Sequence, residues 1–194
     1  RAKLPREAPS AFDERQALLA PYLEERPGSR VIGIPMAGSC FGLIPWLVEL
    51  VSGLGFGVRV LTPDGQSLSR GEERCYAYDA CAPVKAAHGI LDADVETVFF
   101  PIILSTDSEA GGCGRTCAME QAQPEMAGAA LRARGRNLRV LNPVLSFDAG
   151  TQSKAFAAEL LVAARALLGS EPDRARVAAA GRAAAQAQAR YEEA

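Results

Sequence analysis

The sequence lacks any apolar run long enough to span a bilayer, since the longest, from Leu43 to Leu50, is interrupted by Pro45 and Glu49. It also lacks an excess of charge of either sign. The formal net charge is -2, so we expect neither nucleic acid nor a membrane surface as a partner. No secretory signal is visible, and we expect a cytoplasmic protein. With His88 as the single histidine and no Gly-x-Ser-x-Gly motif, the sequence gives a hydrolytic triad little support.

What the sequence does contain is a regular alternation of short β-rich runs with helical segments. Such an alternation predicts a parallel sheet with helices on both faces. We therefore expect an α/β fold, an open flavodoxin-like or Rossmann-like sheet of about four strands with extra helices at both ends. The predicted strands are 30–34, 58–61, 97–103 and 138–141, and the predicted helices are 10–26, 43–54, 83–91, 126–134, 154–168 and 173–191.

The chain divides into three predicted parts. Residues 1–9 are charged and contain proline, which is typical of a linker, and Ser10 can cap the helix that follows. Residues 10–170 form the α/β domain. Residues 171–194 form an alanine-rich helix with few large apolar side chains, which we expect to lead into a further domain. The chain begins with Arg1 rather than Met, so we expect a segment of a longer protein.

All five cysteines fall on connections that follow predicted strands. Cys40 follows the first strand, Cys75 and Cys81 follow the second, and Cys113 and Cys117 follow the third in a glycine-flanked loop. Because the carboxyl ends of parallel strands share one edge of the sheet, we expect these thiols at a common ligand-binding edge. Without an export signal, the odd number does not indicate disulfides. Soft thiolates suit zinc or an iron–sulfur cluster, and unligated loop cysteines are the alternative.

Cys81 comes just before a helix that Pro83 can start. The positive N-terminal end of a helix lowers the pKa of a nearby thiol and favours thiolate or an anionic cluster. Lys85, one turn later, adds positive charge and is a candidate contact for a cofactor or substrate. His88, on the same predicted helix, either forms a hydrogen bond within the protein or provides a polar contact or proton at the cluster edge.

Residues 79–89 carry the pattern Cys-x-Pro-x-Lys-x-x-His-Gly, which resembles the uncharacterised middle domain of the large activator proteins of 2-hydroxyacyl-CoA dehydratases. Segments 12–15, 32–35, 99–101 and 141–143 agree with this family in order and spacing. The resemblance thus covers about residues 10–150. The chain departs from the family where Ile90 replaces a second histidine. It departs again where Gly114 and Ala118 follow the later cysteines in place of proline.

The resemblance implies an iron–sulfur-cluster-bearing or electron-transfer accessory domain of a 2-hydroxyglutaryl-CoA dehydratase activator, or activase. In such systems ATP hydrolysis drives an electron to the dehydratase. The resemblance also implies ATPase and dehydratase-like domains elsewhere in the parent protein. By this resemblance Cys81, with Cys113 or Cys117, holds a cluster of the four-iron type, and Cys40 or Cys75 is a candidate fourth ligand. If only two cysteines bind in one chain, two chains of a homodimer, or two domains, would share the cluster.

Two other interpretations stay open. One is a non-catalytic docking domain with structural or vestigial cysteines, and the other is an acyl-CoA-binding module that uses Lys85. We expect no nucleotide and no complete active site in this fragment. Residues 148–151 imitate a phosphate-binding Asp-x-Gly-Thr element but lead into a helix, which Asp148 or Thr151 would cap. Residues 33–38 lack the usual glycine pattern of a nucleotide loop.

Overall fold

The computed structural model describes residues 10–91, 94–106 and 114–194. Within these residues the helices alternate with the strands of two sheets, and a 3-10 helix spans Gly38–Leu43. The α-helices are α1 (Ala11–Leu23), α2 (Ile44–Gly53), α3 (Ser67–Arg74), α4 (Ala82–Ile90), α5 (Ala118–Ala133), α6 (Lys154–Leu168) and α7 (Arg174–Glu192). The strands are β1 (Val31–Pro35), β2 (Gly57–Leu61), β3 (Thr97–Phe99), β4 (Ile102–Thr106), β5 (Gly114–Arg115), β6 (Arg139–Leu141) and β7 (Val144–Ser146).

The main sheet has four parallel strands in the order β2-β1-β3-β6, which confirms the predicted flavodoxin-like α/β class. Ile32 of β1 pairs with Val58 on one side and with Thr97 on the other. Strands β1, β2 and β3 are largely buried on both faces, which explains why they read as mostly apolar runs. The chain reverses its direction of winding between β1 and β3. Ligands of such sheets bind at this position, outside the carboxyl ends of the strands.

The helices form two groups, as expected when crossovers run in both directions from β1. On one side α2 contacts both α1 and α7, and α6 contacts α7. On the other side α4 contacts both α3 and α5. The first group encloses an aromatic cluster in which the rings of Trp46, Phe147 and Phe156 lie 5.0–5.8 Å apart between centroids. No helix in the described ranges is both long and apolar enough to cross a membrane.

A second, smaller sheet with the order β5-β4-β7 lies beyond the carboxyl ends of β3 and β6. The sequence predicted one strand over 97–103, but the structure breaks it at Pro101 and breaks the neighbouring strand at Pro143. Proline has no N–H to donate, so the ladder is interrupted at both positions. Ile102 restores it by donating from its backbone N to the carbonyl oxygen of Pro143 at 2.9 Å. The strand pair therefore continues as β4 and β7.

Two helices differ from the prediction. Helix α3 lies between residues 62 and 82, where the sequence predicted no helix. Its side chains are mostly polar and it contains Gly71, so it has no apolar stripe that would indicate a helix. Helix α5 begins at Ala118 rather than at Met126, with Pro124 inside it. The Ser10 cap is confirmed by its hydrogen bond from the backbone N of Asp13, whereas α6 is capped by Ser153 and not by Asp148 or Thr151.

Candidate functional site

Cys81 and Cys117 occupy equivalent positions at the starts of two helices. Cys81 is the N-cap of α4 and Cys117 is the N-cap of α5, and both residues have extended backbone conformations. Both are exposed to solvent, and neither thiol makes a capping hydrogen bond. Their carbonyl oxygens accept the first helical bonds, from Lys85 N and Gln121 N, each at 3.1 Å. Each thiol therefore stands beside the unpaired N–H groups at the positive end of a helix.

The helices that carry these two cysteines are joined by Gln123. This side chain is 1% exposed and lies on the second turn of α5. Its Nε2 lies 3.5 Å from the carbonyl oxygen of Pro83 and 3.4 Å from that of Val84, both in the first turn of α4. This contact joins the second turn of α5 to the first turn of α4, close to the cysteine-bearing start of each helix.

His88 lies in the interior, on the side of α4 that packs against the protein. It is 3% exposed, and its Nδ1 lies 2.9 Å from the carbonyl oxygen of Val84. A carbonyl only accepts, so Nδ1 carries the proton. Nε2 has no hydrogen-bond partner among the described residues. Burial lowers the pKa of His88, and the hydrogen bond to Val84 opposes this effect. The bond from Nδ1 to Val84 is the hydrogen bond within the protein that the structural alternative for this residue predicts.

Gly89, the last residue of the Cys-x-Pro-x-Lys-x-x-His-Gly pattern, permits close packing between α3 and α4. A Cβ at this position would overlap the carbonyl oxygen of Ser67, and a Cβ at Gly71 would overlap that of Lys85. The backbones of α3 and α4 are thus in direct contact. Within Cys-x-Pro-x-Lys-x-x-His-Gly, the proline starts the helix while the histidine and glycine pack it. The cysteine and the lysine of the pattern have no such part in the packing of α3 against α4.

The remaining cysteines are placed differently. Cys40 lies inside the 3-10 helix, is 1% exposed and has its Sγ 3.9 Å from the carbonyl oxygen of Pro101. Burial, with a smaller contribution from the Glu120 carboxylate, raises the pKa of this thiol well above its ordinary value. Cys75 follows α3 and is partly buried, with its Sγ 3.7 Å from the carbonyl oxygen of Ala77. Cys113 lies outside the described residues.

Lys85 is the cation that the sequence places one turn after Cys81. It lies one turn into α4, and its Nζ is 5.9 Å from the ring centroid of Tyr78. Tyr78 is 94% exposed and Tyr76 is 66% exposed, so two exposed aromatic side chains lie shortly before Cys81 in the chain. A cation over an aromatic face at this distance is weakly stabilising.

Sequence reasoning missed the part that α5 plays in the site. The predicted helix began at Met126, so Glu120 and Gln123 were left outside it, whereas both lie within α5. Gly38, with φ +52, lies so close to α5 that a Cβ there would overlap the Glu120 carboxylate. The loop after β1 therefore packs closely against α5, whose N-cap is Cys117. Pro124 is the seventh residue of α5, where a proline normally argues against a helix, so the sequence held no clear signal for this earlier start.

The described residues contain no group of three or more His, Cys, Asp or Glu side chains that could hold a metal ion. Among the described cysteines, Cys81 and Cys117 are the exposed ones. A cluster at this edge would need further ligands from Cys113, from another domain or from a second chain.

A comparison with models of protein families gives one match. The model described as the CoA enzyme activase uncharacterised domain matches residues 31–194, which is most of the chain. The matched region begins at β1 and includes both cysteine-bearing helix starts as well as α7. No curated protein and no solved structure matches the chain.

Proposed function

This chain belongs to the CoA enzyme activase uncharacterised domain family, and from that premise we propose that it holds an iron–sulfur cluster and passes an electron. The supporting observation is the pair Cys81 and Cys117, two exposed thiols at the N-caps of neighbouring helices. Two helix N-termini directed to one edge stabilise negative charge, and a thiolate-bound cluster is anionic. Lys85 adds a cation nearby.

The ligand set that we propose is Cys81 and Cys117 together with Cys113, which precedes Cys117 by four positions. Three thiolates would leave one iron of a four-iron cluster open to water, a substrate or a ligand from a partner. Cys40 is left out, because a buried thiol with a raised pKa does not supply a thiolate readily. Cys75 is also left out, because its partly buried thiol follows α3 and caps neither cysteine-bearing helix.

The partners of such a domain would be the ATPase and dehydratase-like parts of the activase and a 2-hydroxyacyl-CoA dehydratase. An electron would enter the cluster from the ATP-driven module and leave it for the dehydratase. The exposed aromatic segment of Tyr76 and Tyr78, next to Cys81, gives such a partner an apolar surface to contact.

The test is anaerobic reconstitution with iron and sulfide, followed by iron analysis, visible absorption and electron paramagnetic resonance. We expect stoichiometric iron and sulfide in the wild-type chain. Cys81→Ser and Cys117→Ser should each lose most of the charge-transfer absorption, because serine replaces a soft ligand by a hard one. Cys75→Ser is the matched control and should retain the cluster. Unchanged iron binding by the Cys81→Ser, Cys117→Ser double variant would overturn the proposal.

A docking domain with structural cysteines is the second candidate, and one observation favours it. The described residues hold no three-ligand metal group, and the fold already encloses a continuous apolar core. This candidate predicts the same melting temperature with and without a chelator, and no iron in the wild-type chain after reconstitution. Stoichiometric zinc in place of iron would instead indicate a structural metal site.

A further inference from the structure

A cavity of about 390 Å³ lies between α1 and the connections that follow β1 and β2. Met36 and Phe41 belong to the first connection, and Thr62 and Pro63 belong to the second. Open parallel sheets bind ligands in crevices outside the carboxyl ends of their strands, which is where these two connections start. The volume is within the range of small-molecule sites, about 300–1,000 Å³. The position and the size of the cavity therefore suit a small molecule.

Arg15 provides the one charged side chain among the described residues that line this cavity. Its guanidinium carbon lies 4.6 Å from the ring centroid of Phe41 and 5.7 Å from that of Phe12, and both rings belong to the same wall. The charged end of the side chain is therefore at the cavity, together with its aliphatic stem. Contact with the aromatic faces stabilises the cation but gives its N–H groups no oxygen or nitrogen acceptor.

The N–H groups of Arg15 also lack an acceptor elsewhere in the described part of the chain. Arg26 and Arg59 pair with carboxylates there, whereas Arg15 forms no such ion pair. Asp13 and Glu14 directly precede Arg15 in the sequence, but neither of them lines the cavity. Because a guanidinium group is always charged and presents five donors, an anionic ligand in the cavity would provide the acceptors that the protein does not.

The rest of the wall indicates what else the ligand carries. Gln16 contributes a neutral amide and Thr62 a hydroxyl, and the remaining lining side chains are apolar, namely Phe12, Leu19, Leu23, Met36, Phe41 and Pro63. Phe12 is 76% exposed, so an apolar ligand would remove apolar surface of the protein from water. One fixed cation balances one negative charge, and the planar guanidinium fork matches a carboxylate through two parallel hydrogen bonds.

We propose that this cavity binds a small organic monocarboxylate with an apolar body. The carboxylate accepts hydrogen bonds from Arg15, and the apolar body packs against the rings of Phe12 and Phe41. This inference does not depend on the iron–sulfur proposal, because it uses neither Cys81 nor Cys117.

The experiment compares ligands that differ in one property each. The probe is 3-phenylpropanoate, and its uncharged analogue is 3-phenylpropanamide. Acetate keeps the carboxylate without the apolar body, and phenyl phosphate replaces the carboxylate by a phosphate group. By isothermal titration calorimetry we expect saturable binding of 3-phenylpropanoate, and binding at least about tenfold weaker for the amide, which lacks the charge-assisted hydrogen bonds. Acetate and phenyl phosphate should also bind more weakly than the probe.

Two substitutions at Arg15 test the recognition of the carboxylate. Arg15→Gln removes the charge and should weaken binding of 3-phenylpropanoate at least about tenfold, without a change in the affinity for the amide. Arg15→Lys keeps the charge but loses the planar fork, so its affinity should lie between those of Arg15→Gln and the wild type. Arg190→Gln, at an exposed position on α7, is the matched control and should bind like the wild type.

Arg15 is exposed, so both variants should fold, and circular dichroism checks this. Backbone amide chemical shifts locate the bound probe, and we expect the largest changes in α1 and in the two connections. The proposal is overturned if millimolar 3-phenylpropanoate fails to bind, or if the amide binds as tightly. Equal affinity in Arg15→Gln and the wild type would also overturn it. Tighter binding of phenyl phosphate would assign the cavity to a phosphate and would overturn the assignment to a carboxylate.

Discussion

Burial separates Cys40 from Cys81 and Cys117 among the described cysteines, although all of them follow strands in the sequence. The hydrophobic pattern predicts the order and direction of the strands, and therefore places the cysteine-bearing connections at the carboxyl edge of the sheet. It did not show which thiols reach solvent, because the packing of the 3-10 helix turns Cys40 toward Pro101 while the N-cap positions leave Cys81 and Cys117 outside. Side-chain direction within a connection depends on tertiary contacts that one sequence does not display.

This division can be measured in the reduced, metal-free chain. Iodoacetamide reacts with thiolate, so at pH 8 we expect rapid alkylation of Cys81 and Cys117 and protection of Cys40, whose pKa is raised by burial. Mass spectrometry of the resulting peptides gives the rate at each site. Unfolding in guanidinium chloride is the control and should remove the difference. Alkylation of Cys40 in the folded chain as fast as that of Cys81 would contradict the burial argument.

At the level of single helices and strands, the long apolar elements were predictable and the polar ones were not. The predicted bounds of α6 match the structure because an apolar stripe and a following Gly169, with φ +72, mark its extent. Helix α3 has no comparable stripe. It is stabilised by its close contact with α4, through glycines that read as helix breakers in sequence.

The contact between α3 and α4 makes Gly89 a sensitive position. Gly89→Ala would force its Cβ against the carbonyl oxygen of Ser67, and a backbone atom cannot move aside as a flexible side chain can. We expect a loss of about 3 kcal/mol in the free energy of unfolding, measured by urea denaturation. Gly65→Ala is the control, since a Cβ there would contact nothing within 4 Å. A midpoint of unfolding equal to that of the wild type would contradict the close approach.

At the scale of the whole molecule, one core extends from the sheet to the last helix. Helix α7 has few large apolar side chains, yet its small side chains permit a close approach to α2. A Cβ at Gly53 would lie only 2.8 Å from that of Ala180. Val177, Ala180 and Ala184 belong to the same buried cluster as the strands. Composition alone does not distinguish a helix that packs closely through alanine from one that packs little.

If α7 belongs to this core, a charge placed within it must destabilise the whole domain. Ala184→Asp would bury a carboxylate at a position that is 0% exposed, and we expect a loss of about 3 kcal/mol in the free energy of unfolding. Ala183→Asp, one position earlier on the exposed side of the same helix, should change it by less than about 0.5 kcal/mol.

Trp46 lies on α2, so its fluorescence reports on the opposite side of this contact. For both variants, Trp46 emission and far-ultraviolet circular dichroism should give coincident urea transitions, as one cooperative unit requires. An early loss of helicity in Ala184→Asp, with the Trp46 transition unchanged, would instead show that α7 unfolds independently of the sheet.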